Sequence, residues 1–536
     1  MPDASPVRDA LPVESSDIWM PCADGVKLAS RLWKPSQPGR WPVLLVRQPY
    51  GRAIASTITA AHPHWYAGQG YAVVVQDVRG RGDSAGQFEG FAQEARDGAT
   101  ALEWARSLPC GDGKVGTYGF SYQGLTQLLG RADPAPPDAL VPAMTGLDER
   151  LHWASDGGAH RWAQGLGWAL QLAAETVRRA GDHDAWQNIR RSLESGRFLA
   201  EGMALLERHD PSGMGLGWLR LDPQQPQGWR CHQPPAALLR QPMLLVGGWL
   251  DPHLGGVLDL LERSQAAGGS ANLLVGPWTH LNWNGGIDRL QLAFFDRHLR
   301  GREPAQLPAA CALGDLTSGA WSHAPEEASH PLLWGLRSAG LAAVDAGEGQ
   351  LTPAGEGGGA VWLVHDPWRP CPGRGGHLAL EAGLVERGDI DQRGDVACFT
   401  SAPLAQDLQL CGRPELVLDL ATDQPGHDLC GALSVVRGGG SQVLQLCTGV
   451  GRWLGEDALR LQRRRLQFQP LLVTLRSGEC LRLSLAAAAW PQIAVNPGDG
   501  RQPSGPSGPG HRVITLQFSL REAQLHLKPL TSAKLC

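Results

Sequence analysis

Lys114–Gln127, KVGTYGFSYQGLTQ, opens with the β-type run Lys114-Val115-Gly116-Thr117-Tyr118, turns sharply at Gly119-Phe120-Ser121-Tyr122-Gln123-Gly124, and continues through Leu125 and Leu128 with helical spacing. A serine at the apex of a strand, a tight glycine-flanked turn and a helix is the arrangement called a nucleophile elbow. Such a serine sits in strained backbone, so its neighbours must be small enough for the turn to close and leave its Oγ above a sheet. The next backbone N–H, that of Tyr122, then points at the oxyanion of an acyl intermediate. The G-x-S-x-x-G string alone matches many surface turns, so the serine needs partners elsewhere in the chain before it signifies chemistry.

Upstream, Trp19 to Pro35 alternates apolar and polar residues around Asp24-Gly25, a hairpin signal, and Val43–Val46 reads as a strand ending in Arg47-Gln48-Pro49-Tyr50. A short helical piece around Trp65-Tyr66 precedes Tyr71–Val75, an apolar run suited to a strand buried on both faces. A polar glycine-rich turn, Gln76–Ser84, and helical spacing from Phe91 to Leu108 lead to the elbow strand. Strands alternating with helices predict a parallel sheet covered on both faces. From about Leu147 to Leu239 the chain reads as helix rich in Ala, Leu, Arg and Trp, without a strand pattern, which predicts a helical insertion capping the sheet.

The α/β pattern resumes at Met243–Gly247, a strand followed by Gly248-Trp249-Leu250-Asp251. A helix from about Gly256 to Ala266, a strand Asn272–Val275 ending in Gly276-Pro277-Trp278-Thr279-His280, and helical spacing from Asp288 to Leu299 complete it. Beyond Pro308, short alternating runs at 416–420, 471–475 and 513–518 between turn-rich spacers predict an all-β sandwich. Gly347–Gly359 and Pro503–Gly510 are rich enough in Gly, Pro and Ser to predict unpacked, mobile loops. The expected domains are a catalytic α/β unit from 1–147 and 240–307, a helical cap at 148–239, and a β-sandwich at 308–536.

Composition narrows the function classes. A formal net charge of −5 over 536 residues gives no reason to expect nucleic acid or an anionic membrane as a partner. No stretch approaches eighteen uninterrupted apolar residues, and residues 1–19 lack the basic and apolar regions of a signal peptide. The eleven cysteines include no C-x-x-C pair and no histidine at zinc spacing, so reduced thiols and a cytoplasmic location are expected.

An acyl-transfer serine needs a base to take its proton and a carboxylate to orient that base. In the α/β-hydrolase order these follow as Ser, Asp, His, each at the carboxyl end of a strand. Ser121, Asp251 and His280 supply the types, the order and the strand ends. The lesser reading of Asp251 is a cap for the helix that follows it, and His253 and His298 compete with His280, but neither histidine directly follows a strand with a turn signal.

Five segments, QDVRGRGDSAG (76–86), GFSYQG (119–124), GGWLD (247–251), GPWTH (276–280) and FFDRHLRG (294–301), resemble those of the bacterial cocaine esterase family. That family is related to α-amino-acid ester hydrolases, cephalosporin acylases and X-Pro dipeptidyl-peptidases. DPWRPCPGRGG (366–376) and DQRGDVACFTSAPL (391–404) resemble its carboxyl-terminal jelly-roll domain, so the resemblance spans about Trp19 to Phe518. It implies an α/β-hydrolase fold with a cap insertion, followed by a galactose-binding-like jelly roll. It also implies that Tyr50, in the R-x-P-Y segment Arg47–Tyr50, donates its hydroxyl to the oxyanion beside the Tyr122 amide. Trp153 and Trp168 of the cap, with Trp249 and His253 around the aspartate, are the implied substrate pocket. His253 stands where the family's cocaine esterases carry an aromatic residue, which implies a more polar wall. Asp77 and Arg79 are expected to form a structural ion pair beneath the elbow.

The expected activity is hydrolysis of small carboxylic esters through an acyl-enzyme, with no metal or cofactor and a small molecule as the partner. An amidase, acylase or aminopeptidase of the same family is the first alternative. A ligand-binding β-sandwich carrying a vestigial hydrolase is the second, and an aromatic-rich surface would permit homodimerisation.

Overall fold

The computed structural model describes residues 10–53, 61–130, 135–283, 285–303, 310–322, 332–353 and 355–529. Before the cap the chain contributes β1 (Val13–Pro21), β2 (Lys27–Pro35), β3 (Trp41–Gln48), β4 (Ala72–Asp77), β5 (Gly111–Phe120) and β6 (Ala139–Ala143). Within the cap, the two-residue strands β7 (Ser155–Asp156) and β8 (Ala159–His160) pair with each other. After it come β9 (Leu244–Leu250), β10 (Asn272–Thr279), β11 (Cys311–Gly314) and β12 (Trp321–Ser322). The ten strands outside the cap form one sheet in the order β1-β2-β4-β3-β5-β6-β9-β10-β11-β12. From β4 to β11 every neighbouring pair is parallel, and the β1–β2 hairpin turns at Asp24-Gly25 as expected.

Parallel strands need crossovers, and helices from those crossovers cover both faces. Leu44, Val46, Val73 and Val75 pack with Phe294 and Phe295 of the helix Ile287–Arg300. Their alternating neighbours Val43, Leu45, Ala72 and Val74 pack with Ala101, Leu102 and Ala105 of the helix Glu94–Arg106. Each such buried aliphatic or aromatic side chain contributes about 1.5–3 kcal/mol by leaving water. This explains why the strands read as continuous apolar runs.

Four helices build most of the cap: α1 (Trp162–Arg179), α2 (His183–Ser195), α3 (Phe198–His209) and α4 (Met214–Arg220). Leu166, Leu170, Ile189, Phe198 and Leu206 form their common core. The β7–β8 pair corrects the expectation of a strandless insertion; two residues per strand are too few to leave a periodic signal.

The remaining strands, from Leu332–Arg337 to Ile514–Pro529, join in one twelve-stranded set that forms the carboxyl-terminal jelly roll. Three expectations change here. Cys311–Gly314 and Trp321–Ser322 extend the first sheet rather than the sandwich, because Leu273–Val275 offer Cys311–Leu313 a parallel edge and Leu313-Gly314 then take Trp321–Ser322 antiparallel. Gly349–Pro353 is a strand paired on both sides, so the glycine-rich 347–359 stretch is not an unpacked loop. Pro503 and Gly505 are buried, with Gly505 O accepting from Val495 N, so the start of 503–510 is packed while Ser504, Pro506, Pro509 and Gly510 stay exposed. In the 347–359 stretch the small residues permit close backbone approach; a Cβ on Gly357 would lie 2.4 Å from Leu520 O.

Among the described residues no two cysteines form a disulfide, and no helix is long and apolar enough to cross a membrane.

Candidate active site

Parallel strands deliver their carboxyl ends to one edge of a sheet, where α/β proteins place their ligands. Tyr50 lies two residues beyond β3, Ser121 directly after β5, Asp251 directly after β9 and His280 directly after β10. The topology therefore collects four residues that are 230 positions apart at their extremes, Tyr50 and His280, on one edge.

The elbow is strained as its sequence predicts. Ser121 has φ 57° and ψ −124°, a conformation that costs an L-residue on the order of 1–3 kcal/mol. Its N–H is fixed by Ala143 O at 3.0 Å. The flanking glycines are required by space: a Cβ at Gly119 would sit 2.5 Å from Gln123 Cβ, and one at Gly124 would sit 2.8 Å from Ala143 O. Beneath the turn, Tyr122 donates its hydroxyl to Glu94 at 2.9 Å, and Glu94 pairs with Arg47 at 2.7 Å, both fully buried. Burial pushes the Glu94 carboxyl up, and the Arg47 charge opposes that shift. This buried pair anchors the residue whose amide follows the serine.

His280 Nδ1 and Asp251 Oδ2 are 2.6 Å apart. Asp251 is 0% exposed, which opposes its charge, yet the imidazole of His280 and the neighbouring His253 hold its carboxyl below the usual range. Its second oxygen accepts from His253 N at 2.8 Å, and its main-chain oxygen accepts from Gln469 Nε2 of the jelly roll at 2.7 Å. Phe120 packs against His280 with ring centroids 5.4 Å apart, bringing the imidazole beside the elbow. A carboxylate that binds one imidazole nitrogen leaves the other as the proton acceptor, which is the polarity general-base catalysis needs.

Tyr50 accepts a hydrogen bond from Trp168 Nε1 at 3.2 Å, and burial pushes its phenol pKa up, so the hydroxyl keeps its proton. Trp168 stacks on Trp218 (5.3 Å) and lies 6.3 Å from Trp153. Trp153 lies 4.6 Å from His253, which lies 4.9 Å from His280, so these side chains form a continuous wall. His253 Nδ1 donates to His152 O at 2.7 Å, and burial lowers its pKa to about 3. The ring is therefore neutral, with Nε2 as its bare acceptor. Trp249 is not brought into this wall: it is 1% exposed and donates to Gly314 O at 2.6 Å, bracing β9 against β11. The expected Asp77–Arg79 pair is also absent. Arg79 binds Asp97 at 2.7 Å and Asp24 at 2.9 Å, while Asp77 binds Arg52 at 2.9 Å, because the glycine turn sends the two side chains in different directions.

Two family models match in series. Residues 24–282 match the X-Pro dipeptidyl-peptidase (S15 family), and residues 312–524 match the X-Pro dipeptidyl-peptidase C-terminal non-catalytic domain. Cocaine esterase from Rhodococcus sp. (strain MB1 Bresler) is 27% identical over 541 residues, covering 93% of this chain and 89% of the relative. Over both of its domains the chain is therefore similar to the cocaine esterase-like serine hydrolases. The same architecture recurs in an α-amino acid ester hydrolase (TM-score 0.70, 19% identity, 99% of this chain and 98% of that one). It recurs again in an aminopeptidase from a marine sediment Thaumarchaeota archaeon (TM-score 0.71, 18% identity, 98% of both chains). At these identities the likeness establishes the fold of a cocaine esterase-like hydrolase and nothing narrower.

Glu94, Gln469 and the Glu149–His232 pair (2.9 Å), whose carboxylate also accepts from Trp218 Nε1 at 2.9 Å, are site residues that sequence reading missed. Charged or amide residues in helix starts and turns look solvated in sequence, and only burial marks them.

Proposed function

We propose that this hydrolase cleaves small carboxylic esters through a Ser121–His280–Asp251 triad and an acyl-enzyme. The observation that carries this reading is the 2.6 Å contact between His280 and the buried Asp251 at the same sheet edge as the strained Ser121. His280 takes the Ser121 proton as Oγ attacks the ester carbonyl, and the Tyr50 hydroxyl and Tyr122 amide receive the oxyanion. His280 then returns the proton to the leaving alcohol, and water repeats the sequence to release the acid. The relative named cocaine esterase, similar over 93% of this chain, also supports an ester as substrate.

A fluorophosphonate probe should give one adduct, mapped to Ser121, and a panel of matched esters and anilides should show the esters turned over faster. Faster anilide cleavage would make the chain an amidase. A folded protein that takes no adduct and cleaves no ester would favour the binding-module alternative.

The neutral His253 offers an acceptor in the wall between Trp153 and His280, which favours acyl groups carrying a hydrogen-bond donor. His253→Phe should lower the kcat/KM ratio of an α-hydroxyacyl ester to its alkyl counterpart about tenfold, the size of one buried hydrogen bond. An unchanged ratio would remove His253 from acyl selection.

A further inference from the structure

The phenol of Tyr50 has one proton to give and two lone pairs with which to accept. An indole N–H can only donate, so the 3.2 Å contact with Trp168 Nε1 occupies a lone pair and leaves the proton uncommitted. Among the described residues, the Tyr50 O–H meets no acceptor. The donor is itself held firmly. Trp168 sits on α1, its ring 5.3 Å from Trp218 on α4 at an interplanar angle of 32°, and Trp218 is anchored through its own N–H to Glu149 at 2.9 Å. Glu149 is fixed in turn by His232 at 2.9 Å. The cap thus contributes a chain of contacts from a buried carboxylate to the oxygen of Tyr50.

We propose that Trp168 is a positioning residue for the reaction: its N–H fixes the Tyr50 oxygen and turns the phenolic proton toward the oxyanion. A hydroxyl that accepts one hydrogen bond also donates a stronger one, so the contact orients the donor and polarises it. The inference rests on the reading of Tyr50 as an oxyanion donor. Trp168 touches the donor and acts through it, so its effect belongs in the transition state, where the charge has developed.

The experiment is a double-mutant cycle on the full chain with a p-nitrophenyl alkyl ester. Tyr50→Phe should lower kcat about 10²–10³-fold, the loss typical of one oxyanion donor. Trp168→Phe should lower kcat about tenfold with KM changed less than twofold, and in the Tyr50→Phe background it should change kcat less than twofold. Replacing Trp168 by β-(3-benzothienyl)alanine keeps the bicyclic shape and deletes the N–H, so it should reproduce the tenfold loss even if the phenylalanine variant folds poorly. Full activity in that isostere, a loss expressed in KM alone, or an undiminished loss in the Tyr50→Phe background would each overturn the proposal. If Tyr50→Phe retains full kcat while Ser121→Ala is inactive, this inference fails and the serine-hydrolase reading stands. If Ser121→Ala still turns over ester, that reading itself fails.

Discussion

Ser121→Ala should lower kcat for an aryl ester about 10⁵- to 10⁶-fold while KM stays within a few-fold and the protein stays folded. Nucleophile, base and orienting acid act as a unit, so adding His280→Ala to that variant should remove little more. The residual rate would come from the oxyanion donors and from substrate binding. The same position allows a separate test through stability. The φ of 57° and ψ of −124° at residue 121 strain any side chain bearing a Cβ, so alanine retains the strain and glycine relieves it. Ser121→Gly should therefore unfold at higher denaturant than Ser121→Ala, by roughly 1 kcal/mol after the greater freedom of glycine in the unfolded chain is counted. Near-normal turnover in Ser121→Ala would place the nucleophile elsewhere, and equal stability of the two variants would mean that function did not select a strained turn.

Acid should destabilise the fold well above the pH at which carboxylates protonate. His160, His253 and His427 are 2%, 7% and 0% exposed, and burial lowers their pKa values to about 4, 3 and 4 from the usual 6.5. Between pH 6.5 and about 4 the unfolded chain binds a proton at each of these sites and the folded chain does not. Unfolding is therefore favoured as pH falls, by about 1.4 kcal/mol per pH unit per histidine and roughly 4 kcal/mol per unit for the three. Asp251, whose carboxyl is held low, adds the same sign at still lower pH; Glu94, pushed up by burial, opposes it. Urea midpoints measured from pH 7.5 to 5 should be flat above about 6.5 and fall steeply below. His427 supplies a control. Among the described residues neither of its ring nitrogens has a hydrogen-bond partner, and its ring stacks on Trp453 at 5.3 Å and 20°. His427→Phe keeps the stack and removes the titration, so it should stabilise the protein and reduce the acid slope by about 1.4 kcal/mol per pH unit. A midpoint unchanged between pH 7 and 5 would contradict the account.

The sheet and the catalytic edge were legible because their signals are local. A strand buried on both faces must be apolar throughout, and a residue directly after a parallel strand must lie at the carboxyl edge. The run Val43–Val46 and the positions of Asp251 and His280 therefore carried the topology with them. Other features were hidden because they depend on pairings between distant residues. Nothing in the sequence around Arg79 distinguishes Asp77, two residues away, from Asp97 on the next helix as its partner; the geometry of the glycine turn decides. Trp249 belonged to a motif that also holds Asp251, but its indole N–H is taken by Gly314 O at 2.6 Å, a partner 65 residues further along the chain that the motif itself does not reveal. Gly349–Pro353 was misread as loop because Gly349 answers to backbone crowding, a Cβ there lying 2.1 Å from Cys398 O, and not to a need for freedom.

The hydrogen bond from Gln469 to the main chain of Asp251 bears on how such chains can be recombined. A crossover between family members near residue 310 leaves each half foldable on paper, yet parts the aspartate from the amide that matches it. Chimeras built at that seam should inherit a mismatched joint inside their own catalytic edge, repairable by restoring the parental residue at 469. Breeding new specificities in this scaffold is therefore better done by exchanging cap segments between fixed ends than by trading its two halves.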